Sequence, residues 1–259
     1  MSWRLGVVGS PISHSLSPRL HAEGLRLAGL EGTSITVDVK QNETARLIDL
    51  ITTQFDALSV TMPLKSVAAG LCDELDEVAS RTGVVNSLLR RDGKILGACT
   101  DGLGFVAAVE AQFDVTLSGL NVVLLGTGGA ARGIVDALVP AGVAQIMVAS
   151  RTPTNVDVLA RHYTNVFAYD PEDDETDLII NTTPAATRER IDVAQAFRTG
   201  AIVVDIAYDP AMTPWRSLYE DAGCRTTNGL GMLAYQAALQ MTWWWNTPID
   251  GADLLKVLQ

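Results

Sequence analysis

Cysteine and histidine are scarce in this chain of 259 residues, with three of each. Cys72, Cys99 and Cys224 are odd in number, far apart and outside any CxxC pair, so they read as free thiols of a reducing compartment rather than a disulfide frame. His14, His21 and His162 lack HExxH-like spacing, which argues against a bound metal and leaves the chemistry to side chains or an organic cofactor. Basic charge is also short: 19 Lys and Arg against 30 Asp and Glu give a net charge of -11, which argues against nucleic acid or an anionic membrane as partner. An anionic ligand therefore needs local positive groups. No uncharged apolar run approaches the ~18 residues of a membrane span. The N-terminus lacks a basic segment followed by an apolar core, so a cytoplasmic protein is expected. Solenoid-period repeats and low-complexity tracts are likewise missing.

What is present is an apolar fraction of 47% with 19% charged residues, enough to build one large or two modest soluble domains. Short β-branched runs alternate with helical periodicity from "LGVVG" through "SPRLHAEGLRLAGL", "SITVDV" and "ALSVTM", the pattern of βαβ units around a mainly parallel sheet. "NSLLRRDGKILGA" differs, because Asp92-Gly93 between apolar runs signals a hairpin and adds antiparallel strands to that sheet. A second series starts at "NVVLLG" and passes through "AQIMVASR" and "DLIINTT" to "AIVVDIAY". The expected fold is therefore α/β with two α/β domains, joined near "TDGLGFVAAVEAQF". "GMLAYQAALQMTWWW" and "DGADLLKVLQ" read as closing helices. Three consecutive tryptophans span about 200° of a helix, so that helix is expected to lie between two bodies.

The turn "SPISHSLSP" carries four serines and a histidine between a strand and a helix. Ser17 suits an N-cap and Pro18 the first helical position, which leaves Ser10, Ser13 and Ser15 either as turn hydroxyls or as parts of an anion site at the helix N-terminus. "NVVLLGTGGAARGIVDAL" places Gly126-Thr127-Gly128-Gly129-Ala130-Ala131 on the dinucleotide pattern G-x-G-x-x-G/A, between a strand and a helix. An NAD site usually shows Asp or Glu about 20 residues on. This chain has Ser150-Arg151-Thr152 there, which suits the 2'-phosphate of NADP; the plainer alternative is a solvated arginine in a turn. Lys65 in "VTMPLKSV" falls in a helical first turn, where a cation opposes the dipole. Asp101 in "CTDGLGF" falls where a carboxylate is favourable, so on its own it reads as structural, and spacing does not bring it to Lys65.

In order along the chain, "GSPISHSLSP", "VTMPLK", "GVVNSL", "CTDGLGF", "GTGGAARG", "SRT", "INTTP", "DIAYDPAMTPW" and "NGLGMLAYQAA" resemble the shikimate dehydrogenases nearly end to end. The resemblance implies reversible NADPH-dependent reduction of 3-dehydroshikimate to shikimate, on the pathway to chorismate and the aromatic amino acids. It implies an N-terminal mixed-sheet substrate domain, 1–101 completed by 236–259, and a Rossmann-like NADP domain, 102–235. The C-terminal helices return to the first domain, and the site is a cleft between the two. Ser15 and Ser17 would hold the substrate carboxylate, with Tyr208 near it; Thr61, Lys65, Asn86, Asp101 and Gln236 would surround the ring hydroxyls, Lys65 and Asp101 being the catalytic pair. Gly126, Gly128, Gly129 and Ala130 would line the pyrophosphate, Ser150, Arg151 and Thr152 the 2'-phosphate. Thr182, Gly229 and Met232 complete the cofactor set. The partner is then a small molecule, with no nucleic acid and no membrane, for a monomer or homodimer. His14 is expected to pack the loop. Two departures concern orientation of the pair: Ser59 stands where relatives often carry Asn, and Ala98-Cys99 where they carry Asp-Asn. Rival readings are a quinate/shikimate dehydrogenase, a non-catalytic NADP or shikimate sensor, and a glycine-rich interaction scaffold.

Overall fold

The run "LGVVG" ends the first strand, β1 (Ser2–Gly9), whose last five residues are buried. This computed structural model describes residues 2–170, 176–184 and 197–259. Strand β1 pairs in parallel with β2 (Glu31–Asp38) and β3 (Ala57–Val60). Strand β5 (Ser87–Arg91) runs antiparallel to β3 and to β6 (Lys94–Ala98), and β4 (Glu74–Leu75) closes the far edge beside β6. The order is β2-β1-β3-β5-β6-β4, a mixed sheet. Asp92 (φ 52°) and Gly93 (φ 76°) are both left-handed, as a two-residue hairpin turn between right-twisted strands demands.

Alternation along β3 sends Leu58 and Val60 to one face and Ala57 and Ser59 to the other. Leu58 and Val60 join a core with Leu47 of α2 (Thr44–Asp49, prolonged by a wider turn over 50–54), Ala68 of α3 (Lys65–Ala69) and Ala79 of α4 (Glu77–Thr82). Ala57 joins Leu5 of β1, Leu20 and Leu25 of α1 (Ser17–Ala28), and a row from the helix Leu230–Trp245 that includes Ala234, Ala237, Met241 and Trp244. Leu254 of the helix Gly251–Lys256 completes this second core. Trp243 and Trp245 pack against that same core, and Trp245 meets Trp3 edge-on at 6.0 Å. The angular spread of the three tryptophans is met by neighbours inside one unit. Elements flanking the helix within one unit cover all of them.

That unit comprises Met1–Ala108 and Leu233–Gln259; a second comprises Val109–Met232. The division falls inside α5 (Asp101–Phe113), after Ala108, where the sequence reading places it after Asp101. In the second unit, β7 (Asn121–Leu125), β8 (Gln145–Ala149), β9 (Val166–Ala168), β10 (Thr176–Asn181), β11 (Phe197–Asp205) and β12 (Arg225–Asn228) are all parallel. Their order, β12-β11-β10-β7-β8-β9, is that of a dinucleotide-binding sheet, whose strand order reverses between β7 and β10. Interposed helices are α6 (Gly129–Leu138), α7 (Pro153–Ala160) and α8 (Pro214–Asp221), and the two C-terminal helices are α9 (Leu230–Trp245) and α10 (Gly251–Lys256). Val123, Met147, Ile179 and Val203 pack with Tyr219 of α8 on one face, while Val122, Ile146, Leu178 and Ile180 are buried on the other. A parallel sheet covered on both faces needs such unbroken apolar runs. Among the described residues no helix is long and apolar enough to cross a membrane.

Candidate active site

Strands β1, β3 and β6 share one direction and β5 opposes them, so the ends of the first three and the start of β5 meet at one edge of the mixed sheet. The turn "SPISHSLSP", Thr61, Asn86 and Asp101 sit there because of strand direction alone. Ser10 anchors the turn, its N-H donating to Met62 O at 3.0 Å and its hydroxyl to Asp38 Oδ1 at 3.0 Å. Helix α1 starts at Ser17 itself, behind Leu16, which offers no side-chain cap. Ser17 is therefore not the N-cap: its own N-H donates to Ser15 Oγ at 3.3 Å, since a hydroxyl two residues back reaches that amide. His14 is also corrected. It is exposed, and Ile12, 4% exposed, is the residue that packs the loop.

Thr61 follows β3 and donates its N-H to Val8 O at 2.9 Å; a Cβ on Gly9 would lie 2.4 Å from Thr61 Cγ2, so glycine admits Thr61 beside β1. One turn later Lys65 opens α3, and its Nζ donates to Asp101 Oδ2 at 2.6 Å, with side chains 15% and 5% exposed. The reading of Asp101 as merely structural fails here, because strand pairing closes the 36 residues that separate the pair. Asp101 begins α5, where the helix N-terminus favours its negative charge, and Asn86 Nδ2 donates to its other oxygen at 3.1 Å. A buried ion pair needs such extra hydrogen bonds to offset desolvation. Asn86 Nδ2 also reaches Thr100 Oγ1 and Gln236 Oε1, both at 3.0 Å, and Thr100 Oγ1 donates to Gln236 O at 3.0 Å.

Sequence reasoning missed Gln240 and His21. Gln236 and Gln240 stand four apart on an otherwise apolar helix, which places both on one face and was the available signal. His21 is fully buried, its ring between Ser34 Oγ (2.7 Å from Nδ1) and Ser59 Oγ (2.9 Å from Nε2). Burial alone pushes its ionisation down to about 3. The folded protein thus refuses a proton that the unfolded chain accepts near pH 6.5, so stability is complete above that value and falls as pH drops toward 3. Between pH 7 and 5 denaturant unfolding should show wild type losing about 2 kcal/mol more than His21→Gln. Equal losses would contradict a neutral buried imidazole. Of the residues departing from the family pattern, Ala98 and Cys99 are buried, and burial together with the Asp101 carboxylate pushes the Cys99 thiol up to about 12. That thiol is inert at neutral pH.

In the second unit Gly126 follows β7 with φ 107°, and a Cβ there would meet Thr182 Oγ1 at 2.5 Å, so backbone and packing both require glycine. Thr182 Oγ1 is occupied, donating to Leu125 O at 2.6 Å. A Cβ on Gly128 would meet nothing within 4 Å, and no side chain caps α6, which begins at Gly129 and continues through Ala130. Open space before uncapped amides at the switch between β7 and β10 fits a pyrophosphate. Ser150 Oγ accepts from Thr152 N-H at 3.3 Å and lies 3.4 Å from Thr127 Oγ1, bringing the end of β8 beside the glycine loop; Arg151 is exposed there. Gly229 has another reason to be glycine: a Cβ would lie 1.9 Å from Ile206 O. Met232 is 8% exposed, within the first turn of α9. Tyr208 follows β11 in this second unit, whereas the substrate residues named with it belong to the first.

Two family models match the chain: the shikimate dehydrogenase substrate-binding domain over residues 7–88, and shikimate/quinate 5-dehydrogenase over residues 107–216. An NADP(+) shikimate dehydrogenase of Geobacillus kaustophilus is 34% identical over 251 residues, covering 92% of this chain and 91% of that protein. One from an Exiguobacterium species is 36% identical over 260 residues, covering 98% and 97%. Among solved structures, shikimate 5-dehydrogenase from Thermus thermophilus in complex with NADP(H) and shikimate matches with a TM-score of 0.88 at 31% identity over 98% of each chain.

Proposed function

This chain belongs to the shikimate dehydrogenase family, and on that premise we propose that it oxidises shikimate reversibly to 3-dehydroshikimate with NADP, using Lys65 and Asp101 as its catalytic pair. The observation that carries the site assignment is the 2.6 Å contact between Lys65 Nζ and Asp101 Oδ2, at a sheet edge where Thr61, Asn86 and the hydroxyl-bearing turn also end. The nicotinamide, when bound, supplies or accepts the hydride. Lys65 spends one of its three N-H donors on Asp101 and directs the others to the substrate oxygen, stabilising the alkoxide and moving its proton. Asp101 holds that ammonium in place and, being fixed by Asn86, does not swing away from it. Gln236 and Thr61 bind the remaining hydroxyls. Glycines 126, 128 and 129 with Ala130 make room for the pyrophosphate, Arg151 with Ser150 and Thr152 receives the 2'-phosphate, and Thr182, Gly229 and Met232 lie along the rest of the cofactor. Purified protein should form NADPH when shikimate and NADP are supplied together; binding without turnover would make it a sensor instead.

Ser15 and Ser17 are proposed to hold the carboxylate beside the α1 amides. Ser15→Ala should raise the Michaelis constant for shikimate and also cost up to ~1 kcal/mol, because its hydroxyl accepts the Ser17 N-H. Ser17→Ala should raise the Michaelis constant with little loss of stability. Wild-type rates in Ser15→Ala at subsaturating shikimate would place the carboxylate elsewhere.

A further inference from the structure

We propose that His21, Ser59 and Gln240 are positioning residues that orient the Gln236 amide so that it presents an N-H donor to the substrate. The inference rests on the reading of Gln236 as a substrate contact.

Proton accounting fixes the direction of the whole chain. Gln240 Nε2 lies 3.1 Å from Asn86 O and 2.7 Å from Gln236 Oε1, two acceptors, so the amide nitrogen must face them. Gln240 Oε1 then faces Ser59 Oγ at 2.6 Å and holds no proton of its own, which obliges the Ser59 hydroxyl to donate its single one. Ser59 is left as an acceptor toward His21 Nε2 at 2.9 Å, so that nitrogen carries the ring proton. Nδ1 is consequently bare and accepts from Ser34 Oγ at 2.7 Å. At the other end, Gln236 Oε1 takes a proton from Gln240 Nε2 and faces Asn86 Nδ2, whose two protons are shared among Gln236 Oε1, Thr100 Oγ1 and Asp101 Oδ1. Gln236 Nε2 spends one proton on Leu233 O at 2.9 Å and keeps the second.

Every donor therefore points from His21 toward Gln236, and reversing the Gln236 amide would set two N-H groups against a third. Trp244 holds the start of the chain, its ring edge-on to His21 at 5.3 Å and its Nε1 tied to Ser87 Oγ at 2.8 Å. Gln236, Gln240 and Trp244 stand at steps of four along α9, so one helix face presents all three. Ser59 points to that face through the alternation of β3. A hydroxyl at position 59 suffices because Gln240 and His21 supply the acceptor and donor on either side of it. Gln240 closes the distance to Gln236 that a serine side chain cannot span.

The test compares Ser59→Ala, Gln240→Met, Ser59→Thr and Gln236→Ala with wild type. Each is assayed for kcat, for the Michaelis constants of shikimate and NADP, and for thermal midpoint. Removing the hydroxyl leaves Gln240 Oε1 without its donor and loosens the side chain that holds Gln236 Oε1, so Ser59→Ala and Gln240→Met should each raise the Michaelis constant for shikimate roughly three- to tenfold, the scale of one lost hydrogen bond. The constant for NADP should not move. Ser59→Thr, which keeps the hydroxyl, should restore shikimate affinity, and Ser59→Ala with Gln240→Met should be little worse than either alone. A purely structural network would lower the thermal midpoint and leave the shikimate constant unchanged, which would overturn the proposal. Should Ser59→Ala not fold, Gln240→Met decides by the same criterion. A raised constant in Gln236→Ala with normal values in Ser59→Ala and Gln240→Met would sink the positioning chain alone, whereas an unchanged constant in Gln236→Ala would overturn the substrate contact as well.

Discussion

Lys65→Met is expected to keep the fold and NADP affinity while lowering turnover roughly 10²- to 10⁴-fold, the range for a positioned acid or base. Its place at the start of a helix is electrostatically unfavourable, so the residue does not serve the helix. The structure adds a cost. Asp101, 5% exposed in its side chain, would be left with Asn86 but without its cation, so the variant should also lose some stability rather than gain it. Asp101→Asn should give a similar kinetic defect by releasing the ammonium, and the double variant should be hardly worse, because groups acting as a unit are non-additive. Asparagine at 101 removes the uncompensated carboxylate that Lys65→Met leaves buried, so the double variant should be more stable than Lys65→Met alone. Turnover of Lys65→Met within about threefold of wild type would move the proton donor elsewhere, the exposed His14 being the next group to examine.

Arg151→Ala is expected to weaken NADP by roughly 1.5–3 kcal/mol, about ten- to a hundredfold, and to leave NAD nearly unchanged. The guanidinium stands just past β8, next to the Ser150 hydroxyl that is within 3.4 Å of the glycine loop. A phosphate on the ribose adjoining a pyrophosphate at α6 is the group such a cation distinguishes, and NAD lacks it. Equal losses for both cofactors, measured by Michaelis constants at saturating shikimate, would remove Arg151 from the 2'-phosphate site.

What was legible in the sequence was local. The Asp92-Gly93 hairpin, the glycine turn before α6 and the strand-helix alternation each follow from a few adjacent residues, and the structure forms them all. The cap at Ser17 does not form, because the helix begins one residue earlier, at Ser17 behind Leu16, and the Ser17 amide is itself taken by the hydroxyl at 15. The tryptophan run shows how many faces are apolar without saying what covers them; within the first unit α1, α10 and Trp3 pack there. Lys65 with Asp101 was invisible to spacing, since it depends on β3 and β6 running the same way on either side of β5. The chain from His21 to Gln236 lay further out of reach. Three separate elements, α1, β3 and α9, contribute to it, and each residue in isolation looks like an ordinary buried polar group.

The most direct measurement is a set of initial rates for the purified protein with shikimate and with quinate, each against NADP and NAD. The substrate and cofactor assignments predict the highest kcat/KM for shikimate with NADP, and a sharp drop for either exchange. Quinate matching shikimate, or NAD matching NADP, would contradict them, and no turnover in any combination would refute the enzyme outright.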